Sequence, residues 1–388
     1  MHIGVLGGGP GGLYFAYLWK TRHPEDQIDL FEQNAADATW GFGVVFSDEA
    51  LEFLRADDPE TVAAIAPEME SWNNITLTHR GESIEIDGVG FSSIGRLKLL
   101  SILQARAIAA GVTTHFETQI HSLDQLNGYD LIVAADGLNS LVRRSFEGDF
   151  GFSICYSTNK FAWYGTHKRF ETLSQTFVKT DRGAFNAHHY RYAPDMSTFL
   201  VECDRATWEH YGFAYKDVDQ SKAICEEVFA EALGGGMLIS NKSTWRNFPW
   251  VWNEHWHHKN MVLIGDALHS AHFSIGSGTR LAIEDAIALV KALEAEAHVA
   301  TALARYQADR KPIVQKLVTA ARTSADWYEK FPEHMQLDPF DFAYSYITRS
   351  GRIDDARLRA MSPGFMAAYE AAGQAAAARN AEGTTAVE

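Results

Sequence analysis

The length and composition are those of a globular protein: the chain has 388 residues, of which 46% are hydrophobic and 22% charged. This is enough for two domains that share a large core. The formal net charge of −16 argues against nucleic acid or an anionic membrane as the main partner, because both need a broad basic surface. Met1 leads directly into an expected strand, and no apolar run approaches the roughly 18 residues of a membrane helix. Cys155, Cys203 and Cys225 have no CxxC spacing, which predicts reduced thiols and a cytoplasmic protein.

The first 150 residues predict an α/β arrangement, the next hundred predict a mostly antiparallel sheet, and the α/β pattern then returns before a helical end. The expected strands are 2–6, 28–32, 113–117, 129–134, 197–202 and 261–264, with a hairpin at 75–87 that turns at Arg80-Gly81. The expected helices are 11–22, 95–110, 218–232 and 278–294, followed by helices over 301–370 with Pro312 as a kink or boundary.

The first motif with chemical meaning is the glycine-rich stretch 7–12 (GGGPGG), which carries G-x-G-x-x-G at positions 7, 9 and 12. Gly7 permits a tight turn, Gly9 lets the backbone approach a pyrophosphate, and Gly12 lets the helix pack on the strand. Glu32 ends the second strand, where a carboxylate can accept hydrogen bonds from ribose hydroxyls. An acid there disfavours a 2′-phosphate, so the pattern predicts FAD or NAD rather than NADP.

Two later loops follow predicted strands. The stretch 136–143 (DGLNSLVR) lies where open α/β sheets bind ligands, but alone it is better explained by a plain loop whose Asn or Ser caps a helix. The stretch 265–269 (GDALH) precedes 276–278 (GSG) and a helix. Asp266 can accept from a ribityl hydroxyl, and the helix N-terminus can face the pyrimidine edge of a flavin; the alternative is again a loop with a helix cap.

Together, in this order and spacing, the three motifs resemble those of the class A flavoprotein monooxygenases, the aromatic hydroxylases with a p-hydroxybenzoate-hydroxylase-like fold. The resemblance implies an α/β fold class with a Rossmann-type FAD-binding domain formed by 1–150 and 251–300. It also implies an inserted, mostly antiparallel β-sheet substrate domain at 151–250 and C-terminal helices at 301–366. The segment 367–388, rich in Ala and small polar residues, predicts a disordered tail.

The resemblance carries cofactor roles onto matching residues. In the family, the first motif and the ribose acid bind the ADP half of FAD, the Asp-Gly motif lies near FAD and is implicated in NAD(P)H binding, and the Gly-Asp motif contacts the ribityl chain. An Arg and a Gln approach the flavin phosphates and ribityl, and a Gly-Val pair passes beside the isoalloxazine. The matching residues here are Gly7, Gly9, Gly12, Glu32, Gly43, Val44, Arg96, Gln104, Asp136, Gly137, Arg143, Gly265, Asp266, Gly276 and Gly278.

The chain departs from the family pattern in two places. Relatives often have an arginine before the Gly-Val pair, where this chain has 39–42 (TWGF). Relatives also carry a Pro-Pro pair beside the flavin, where this chain has His272-Phe273. A histidine beside the reacting ring can hydrogen-bond a substrate hydroxyl or steer its proton, whereas the alternative is a structural histidine bonded to backbone. His272 and Phe273 are therefore the catalytic candidates.

The stretches 40–51 (WGFGVVFSDEAL) and 159–166 (NKFAWYGT) resemble the branch of salicylyl-CoA 5-hydroxylase and 2-aminobenzoyl-CoA monooxygenase. That branch implies a single-component aromatic hydroxylase of salicylate degradation, which consumes NADH or NADPH and 5-hydroxylates salicylyl-CoA through a C4a-hydroperoxyflavin. The stretches 245–248 (WRNF) and 272–276 (HFSIG) also resemble an indole hydroxylase. A hydroxylase of an indole or tryptophan-derived intermediate and a non-catalytic flavin-binding protein are the alternatives.

The implied partners are an aromatic small molecule, held as a CoA thioester, and molecular oxygen. CoA phosphates need a local patch of basic residues on this acidic protein, and the candidates are Lys160, Lys168, Arg169, Arg182 and Arg191. No metal is expected, because the histidines of 255–258 (HWHH) lie in a polar loop without a partner cysteine. The oligomeric state stays open, with a homodimer as one alternative.

Overall fold

The structure is a computed structural model that describes residues 1–39 and 41–385. Trp40, the first residue of the 40–51 motif, and residues 386–388 lie outside the described part. The expected α/β class is confirmed, since parallel strands alternate with helices in one sheet and a second sheet is mostly antiparallel. Within the described residues, no helix is both long and apolar enough to cross a membrane.

The strands are numbered in chain order. They are β1 (His2–Leu6), β2 (Gln27–Phe31), β3 (Gly43–Ser47), β4 (Glu70–Trp72), β5 (Ile75–His79), β6 (Glu82–Ile86), β7 (Phe91–Gly95), β8 (Thr113–His115), β9 (Leu131–Ala134), β10 (Phe152–Thr166), β11 (Leu173–Thr180), β12 (Gly183–Ala193), β13 (Met196–Cys203), β14 (Leu238–Ser240), β15 (Arg246–Asn253), β16 (His257–His258) and β17 (Met261–Leu263).

The helices are numbered in the same way. They are α1 (Pro10–Arg22), α2 (Asp48–Asp57), α3 (Pro59–Ile65), α4 (Arg96–Ala110), α5 (Leu141–Ser145), α6 (Glu147–Phe150), α7 (Arg205–His210), α8 (Val218–Val228), α9 (Ala230–Leu233), α10 (Gly278–Ala295), α11 (Val299–Glu329), α12 (Phe331–His334), α13 (Pro339–Thr348), α14 (Asp355–Met361) and α15 (Pro363–Thr385).

The chain divides into two compact units, each assembled from three segments. The first unit comprises Met1–Met69, Ser93–Ser157 and Phe248–Arg322, and the second comprises Glu70–Ser92, Thr158–Asn247 and the residues from Thr323 onward. This division differs from the predicted one in two respects. The hairpin at 75–87 belongs to the second unit, because β5 forms a parallel pair with β11. The first part of the predicted C-terminal helices, up to Arg322, belongs to the first unit.

The first unit contains a sheet in the order β16-β17-β9-β1-β2-β8, parallel from β17 to β8. Its central strand β1 reads as a continuous apolar run because both faces are covered; Ile3 and Val5 have no exposed surface. Helix α1 is buried from Pro10 to Trp19, which explains why it is apolar all round rather than amphipathic. The parallel pairing brings the carboxyl ends of β1, β9 and β17 to one edge.

The second unit contains the sheet order β14-β10-β13-β12-β11-β5-β6. The neighbouring pairs β10–β13, β13–β12 and β12–β11 are antiparallel. On β13, Phe199, Val201 and Cys203 alternate onto one face and pack with Phe185 and Phe229 in a common core. The hairpin prediction is confirmed: Arg80 and Gly81 have φ of 55° and 75°, as a tight hairpin turn requires.

The helical end differs from expectation in two respects. Pro312 is not a boundary, because it lies inside α11, which continues past it; the packing of fully buried side chains such as Tyr306 and Val314 on either side compensates for the missing hydrogen bond. The segment from Ala367 is helical as far as Thr385 in the described residues, because alanine is the strongest helix former.

A side chain from another part of the chain holds the start of α15. Asp87 accepts hydrogen bonds from the N–H of Phe365 at 2.7 Å and of Gly364 at 3.1 Å. Ser362 donates its hydroxyl to the backbone carbonyl of Asp87 at 2.6 Å. A carboxylate at a helix N-terminus satisfies N–H groups that have no partner within the helix and interacts favourably with its dipole. The contact therefore fixes where this last helix begins.

Candidate functional site

The three motif loops meet at one edge of the first unit's sheet. Gly7 has φ of 101°, and a Cβ placed on it would lie 2.3 Å from the carbonyl oxygen of Ala135, so the glycine turn lies directly against the Asp-Gly loop. A Cβ on Gly11 or on Gly265 would lie within 3.3 Å of the Cβ of Ala282, which brings the first and third motifs onto the same side of α10. The structure thus brings together residues that are far apart in sequence.

Each glycine of the first motif has a distinct local environment. A Cβ on Gly12 would lie 2.1 Å from the carbonyl oxygen of Gly7, so only glycine fits there. A Cβ on Gly9 would meet nothing within 4 Å. No side chain caps α1 at Gly9, so the first N–H groups of that helix are available to an anion. This is the environment expected for a pyrophosphate.

Glu32 closes the glycine turn. Its Oε2 accepts a hydrogen bond from the N–H of Gly8 at 2.7 Å, and its Oε1 accepts from the N–H and Nδ2 of Asn34 at 2.8 and 2.7 Å. A carboxylate has about four lone-pair positions, so these contacts leave roughly one for a ribose hydroxyl. The predicted ribose contact remains a prediction, and Glu32 can accept fewer hydrogen bonds from a ribose than a free carboxylate could.

The Asp-Gly loop contains two charged residues, Arg143 and Asp136. Arg143 is 2% exposed and donates to the carbonyl oxygens of Ala267, at 2.8 Å, and of Leu138. It therefore ties the second motif to the third, and its predicted cofactor contact stays a prediction. Asp136 accepts from the N–H of Leu141 at 2.7 Å with Oδ2. Its Oδ1 is buried and lacks a partner among the described residues, and burial raises the pKa of this carboxyl group.

Asp266 and Arg96 form the charged part of the site. The side chain of Asp266 is exposed, yet it is surrounded densely enough that burial raises its pKa, against the lowering effects of Arg96 and His269. This combination is expected of a group lining a deep cleft. Burial likewise lowers the pKa of the Arg96 guanidinium, although the charge of Asp266 raises it. An anionic group bound nearby would stabilise that cation.

The remaining cofactor candidates lie around the start of α10. Gly276 has φ of 59°, and a Cβ on it would lie 2.9 Å from Cγ1 of Val45, so this turn contacts β3, the strand of Gly43 and Val44. No side chain caps α10 at Ser277, and a Cβ on Gly278 would meet nothing within 4 Å. Gln104 donates from Nε2 to the carbonyl oxygen of Ala36 at 3.0 Å; this contact ties α4 to the segment after β2.

His272 lies in an aromatic cluster. Its ring is 2% exposed and lies 4.8 Å from the ring of Phe248, 6.0 Å from that of Trp250 and 4.0 Å from that of Phe273, measured between centroids. Its Nδ1 accepts the N–H of Ser274 at 3.3 Å. A neutral imidazole has one nitrogen lone pair, so with Nδ1 accepting, Nε2 carries the proton. The predicted catalytic role of His272 stays a prediction.

Sequence reasoning missed a buried acid behind the third motif. Asp285 has no exposed surface and accepts from the N–H of Gly265, from His269 and from Arg310. The available signal was weak: an acid at this position of α10 can belong to a solvated face, and its partner Arg310 lies on the next helix.

The basic residues considered as ligands of CoA phosphates differ in the contacts that they already make within the protein. Arg191 is 8% exposed, binds Glu70 at 2.7 Å and donates to the carbonyl oxygen of Phe170, so its role is structural. Lys160 donates to Asn247 and lies 4.8 Å from the centre of the Trp208 ring. Arg169 pairs with Glu171 at 3.5 Å, Arg182 lies over the ring of Tyr211, and the Nζ of Lys168 lies 3.5 Å from where a Cβ on Gly234 would be.

The histidines at 255–258 differ from one another. His255 is exposed and lies in a loop, as expected. His257 and His258 instead form β16, which pairs with β17, and His258 lies 3.5 Å from Asp149. Within residues 1–39 and 41–385, no group of three or more histidines, cysteines or acids is arranged to hold a metal ion.

The residues at this edge fit FAD. The uncapped start of α1 and the open side of Gly9 suit a pyrophosphate, and Arg96 supplies a positive charge. The unpartnered Oδ1 of Asp136 and the cleft-facing Asp266 supply acceptors of the kind that ribityl hydroxyls need.

Comparisons with known proteins agree with this fit. A family model described as an FAD binding domain matches residues 1–321. Salicyloyl-CoA 5-hydroxylase from Streptomyces sp is 38% identical over 363 residues, which cover 90% of this chain and 70% of that protein. The 3-hydroxy-4-methyl-anthranilyl-[aryl-carrier protein] 5-monooxygenase of Streptosporangium sibiricum is 36% identical, covering 86% of this chain and 90% of that protein. Protodeoxyviolaceinate monooxygenase of Chromobacterium violaceum is 33% identical, covering 94% and 96%.

Solved structures show the same fold. PqsL of P. aeruginosa, in complex with 2-aminobenzoylacetate, superposes with a TM-score of 0.70 at 22% identity, covering 90% of this chain and 100% of that one. A tetrameric form of 2-methyl-3-hydroxypyridine-5-carboxylic acid oxygenase gives a TM-score of 0.68 at 17% identity, covering 93% and 95%.

Proposed function

This chain belongs to the FAD-binding-domain family of flavoprotein monooxygenases, and from that premise we propose that it hydroxylates an aromatic acid held as a CoA thioester, with 5-hydroxylation of salicylyl-CoA as its reaction. Family members are FAD-dependent aromatic hydroxylases that use NAD(P)H as the reductant. The observation that carries the substrate proposal is the 38% identity to salicyloyl-CoA 5-hydroxylase over 90% of this chain. The match covers segments of both units rather than the cofactor motifs alone.

The bound flavin supplies the redox and oxygen chemistry, and the chain's own residues supply binding, orientation and exclusion of water. In this proposal the start of α1 binds the pyrophosphate, Asp266 and Asp136 accept from hydroxyl groups of the cofactor, and the uncapped start of α10 favours negative charge beside it. The buried rings of Trp250 and His272 and the half-buried rings of Phe248 and Phe273 exclude water from their part of the site.

Two other substrate classes are alternatives. The Streptosporangium relative acts, by its name, on a substrate attached to an aryl-carrier protein. That substrate and an aryl-CoA both carry an aromatic acyl group, but the group is attached to different carriers. An indole or tryptophan-derived substrate is supported by the Chromobacterium relative, whose match covers 96% of that protein, against 70% for the salicyloyl-CoA enzyme. Neither alternative changes the cofactor or the type of reaction.

The test is a substrate screen with the full-length holoenzyme. Salicylyl-CoA, 2-aminobenzoyl-CoA, free salicylate and tryptophan-derived indoles are compared for stimulation of NADH oxidation, and each product is identified by mass and ring position. We expect salicylyl-CoA to give the 5-hydroxylated thioester and free salicylate to give no product. Turnover of an indole with no product from either thioester would overturn the proposal. Product from salicylate at the rate of salicylyl-CoA would show that the thioester is not recognised.

The catalytic candidate His272 can be tested with a variant that keeps its cap contact. Asn also accepts at a helix N-cap, so His272→Asn should retain the Ser274 contact and FAD while removing the imidazole Nε2. If Nε2 donates to a substrate hydroxyl, product formed per NADH oxidised should fall about tenfold, the size of one lost hydrogen bond, with flavin reduction unchanged. Wild-type coupling in this variant would make His272 a structural residue, and the same conclusion would follow for its neighbour Phe273 if Phe273→Leu were also fully coupled.

A further inference from the structure

A fully buried charged group of the first unit lies behind the third motif. Asp285 is on α10 between apolar residues such as Ile283 and Ala286, and its exposed surface is 0%. Placing a carboxylate there is costly unless its oxygens are fully hydrogen-bonded. Its oxygens are satisfied by donors from two other parts of the unit, so the residue has a specific use in this fold.

The donors to Asp285 come from the motif loop and from α11. Oδ2 accepts from the N–H of Gly265 at 3.0 Å and from Nε2 of His269 at 2.8 Å, and Oδ1 accepts from Nε of Arg310 at 2.9 Å. Because a carboxylate only accepts, His269 must carry a proton on Nε2. Arg310 is held on its other side by Glu284, at 2.7 Å from Nη2. The Asp285 carboxylate therefore connects both ends of the loop 265–269 to helices α10 and α11.

This arrangement acts on the residue between those two ends. Gly265 has φ of 59°, a left-handed conformation that glycine adopts without steric cost. The backbone N–H of His269 also closes the loop onto the carbonyl oxygen of Gly265 at 2.9 Å. With Gly265 and His269 both bound from inside, the side chain of Asp266 is left facing the cleft, where it is exposed.

We propose that Asp285 is a positioning residue of the cofactor site, which holds Gly265 and His269 so that the Asp266 carboxylate is directed at bound FAD. It acts through the loop and touches neither cofactor nor substrate. The inference rests on the FAD site and not on the substrate assignment, so the two fail independently.

The test compares Asp285→Asn with Glu284→Gln. Both remove one negative charge from α10 beside Arg310, but only the first removes an acceptor of the loop. In Asp285→Asn, the amide presents a donor to groups that are themselves donors. We expect FAD release from the full-length holoenzyme, measured as flavin fluorescence recovered on dilution, to show about tenfold weaker binding, as for one lost hydrogen bond to a charged group. Hydrogen exchange of the peptide covering 264–270 should be faster in the flavin-free form. Glu284→Gln should leave both measurements within about twofold of wild type.

Two results would overturn the proposal. One is an Asp285→Asn protein with wild-type FAD affinity and wild-type exchange at 264–270. The other is equal weakening of FAD binding in Glu284→Gln, which would assign the effect to charge on the helix. If Asp285→Asn does not fold, His269→Ala decides the question, because it keeps the buried carboxylate and removes one of its loop contacts. It should then weaken FAD binding in the same direction, and unchanged binding would contradict the proposal.

Discussion

Gly12→Ala is expected to prevent folding of the first unit, or to lower its free energy of unfolding by about 3 kcal/mol or more. The added methyl group would lie 2.1 Å from the carbonyl oxygen of Gly7 and 3.1 Å from the Cβ of Ala135. Backbone atoms of the central strand's turn cannot move aside as a flexible side chain can, so α1 would be displaced from the sheet. Thermal unfolding of the flavin-free protein measures the effect directly.

Gly9→Ala is the matched control for that prediction, because it adds the same methyl group three residues earlier. Its Cβ would meet nothing within 4 Å, and its φ of −76° is open to any residue. Unfolding of the flavin-free protein should therefore be unchanged, while FAD binding weakens because the methyl group occupies the approach to α1. Equal destabilisation by the two substitutions would contradict this account of the glycine turn.

Asp266→Ala is expected to purify as mostly flavin-free protein, with FAD affinity about 100-fold lower, near the upper end for hydrogen bonds to a charged group. The substitution removes the cleft-facing acceptor and also leaves the half-buried Arg96 without its neighbouring carboxylate. The ratio of flavin absorbance to protein absorbance after purification is the first measurement, and titration with FAD is the second.

Asp37→Ala is a suitable control for Asp266→Ala, since Asp37 is an exposed acid in the same unit. It changes net charge equally and should retain a full complement of FAD. Asp266→Asn should be intermediate, because the amide keeps one acceptor oxygen. Full flavin content and normal turnover in Asp266→Ala would remove this residue from the site.

The glycine motif was predictable because the tight turn and the close backbone approaches both require residues without a side chain. Glycines are visible directly in the sequence. The strand before it, the helix after it and Glu32 follow the same local logic. Arg143 shows where that logic ends. Sequence identifies a guanidinium beside the Asp-Gly turn, but only packing decides whether it faces a ligand or the carbonyl oxygens of Leu138 and Ala267.

Non-local contacts explain the other differences. The alternation at 75–87 predicts a hairpin, and β5 and β6 form it, but nothing local indicates that β5 also pairs with β11. Asp285 is similar: its neighbour Glu284 is partly accessible while Asp285 is buried, and the side that each faces depends on Arg310 from another helix. The Ala-rich composition at the C-terminus suggests disorder, and the Asp87 contact at the start of α15 comes from far upstream.

The contact between Asp87 and the start of α15 joins residues 278 positions apart, and this distance affects how the protein is made. When the ribosome has produced the hairpin β5–β6, its parallel partner β11 and the helix that Asp87 caps do not yet exist. An isolated two-stranded hairpin is marginally stable at best, so these strands wait as an unpaired edge until β11, which ends at Thr180, has been made. Folding dominated by such distant pairings is slow, and the exposed edge favours association with other chains meanwhile. Expression of the second unit as one contiguous fragment would omit either this hairpin or the helix. The yield of folded protein would then depend on chaperones and low temperature more than on the stability of the finished protein.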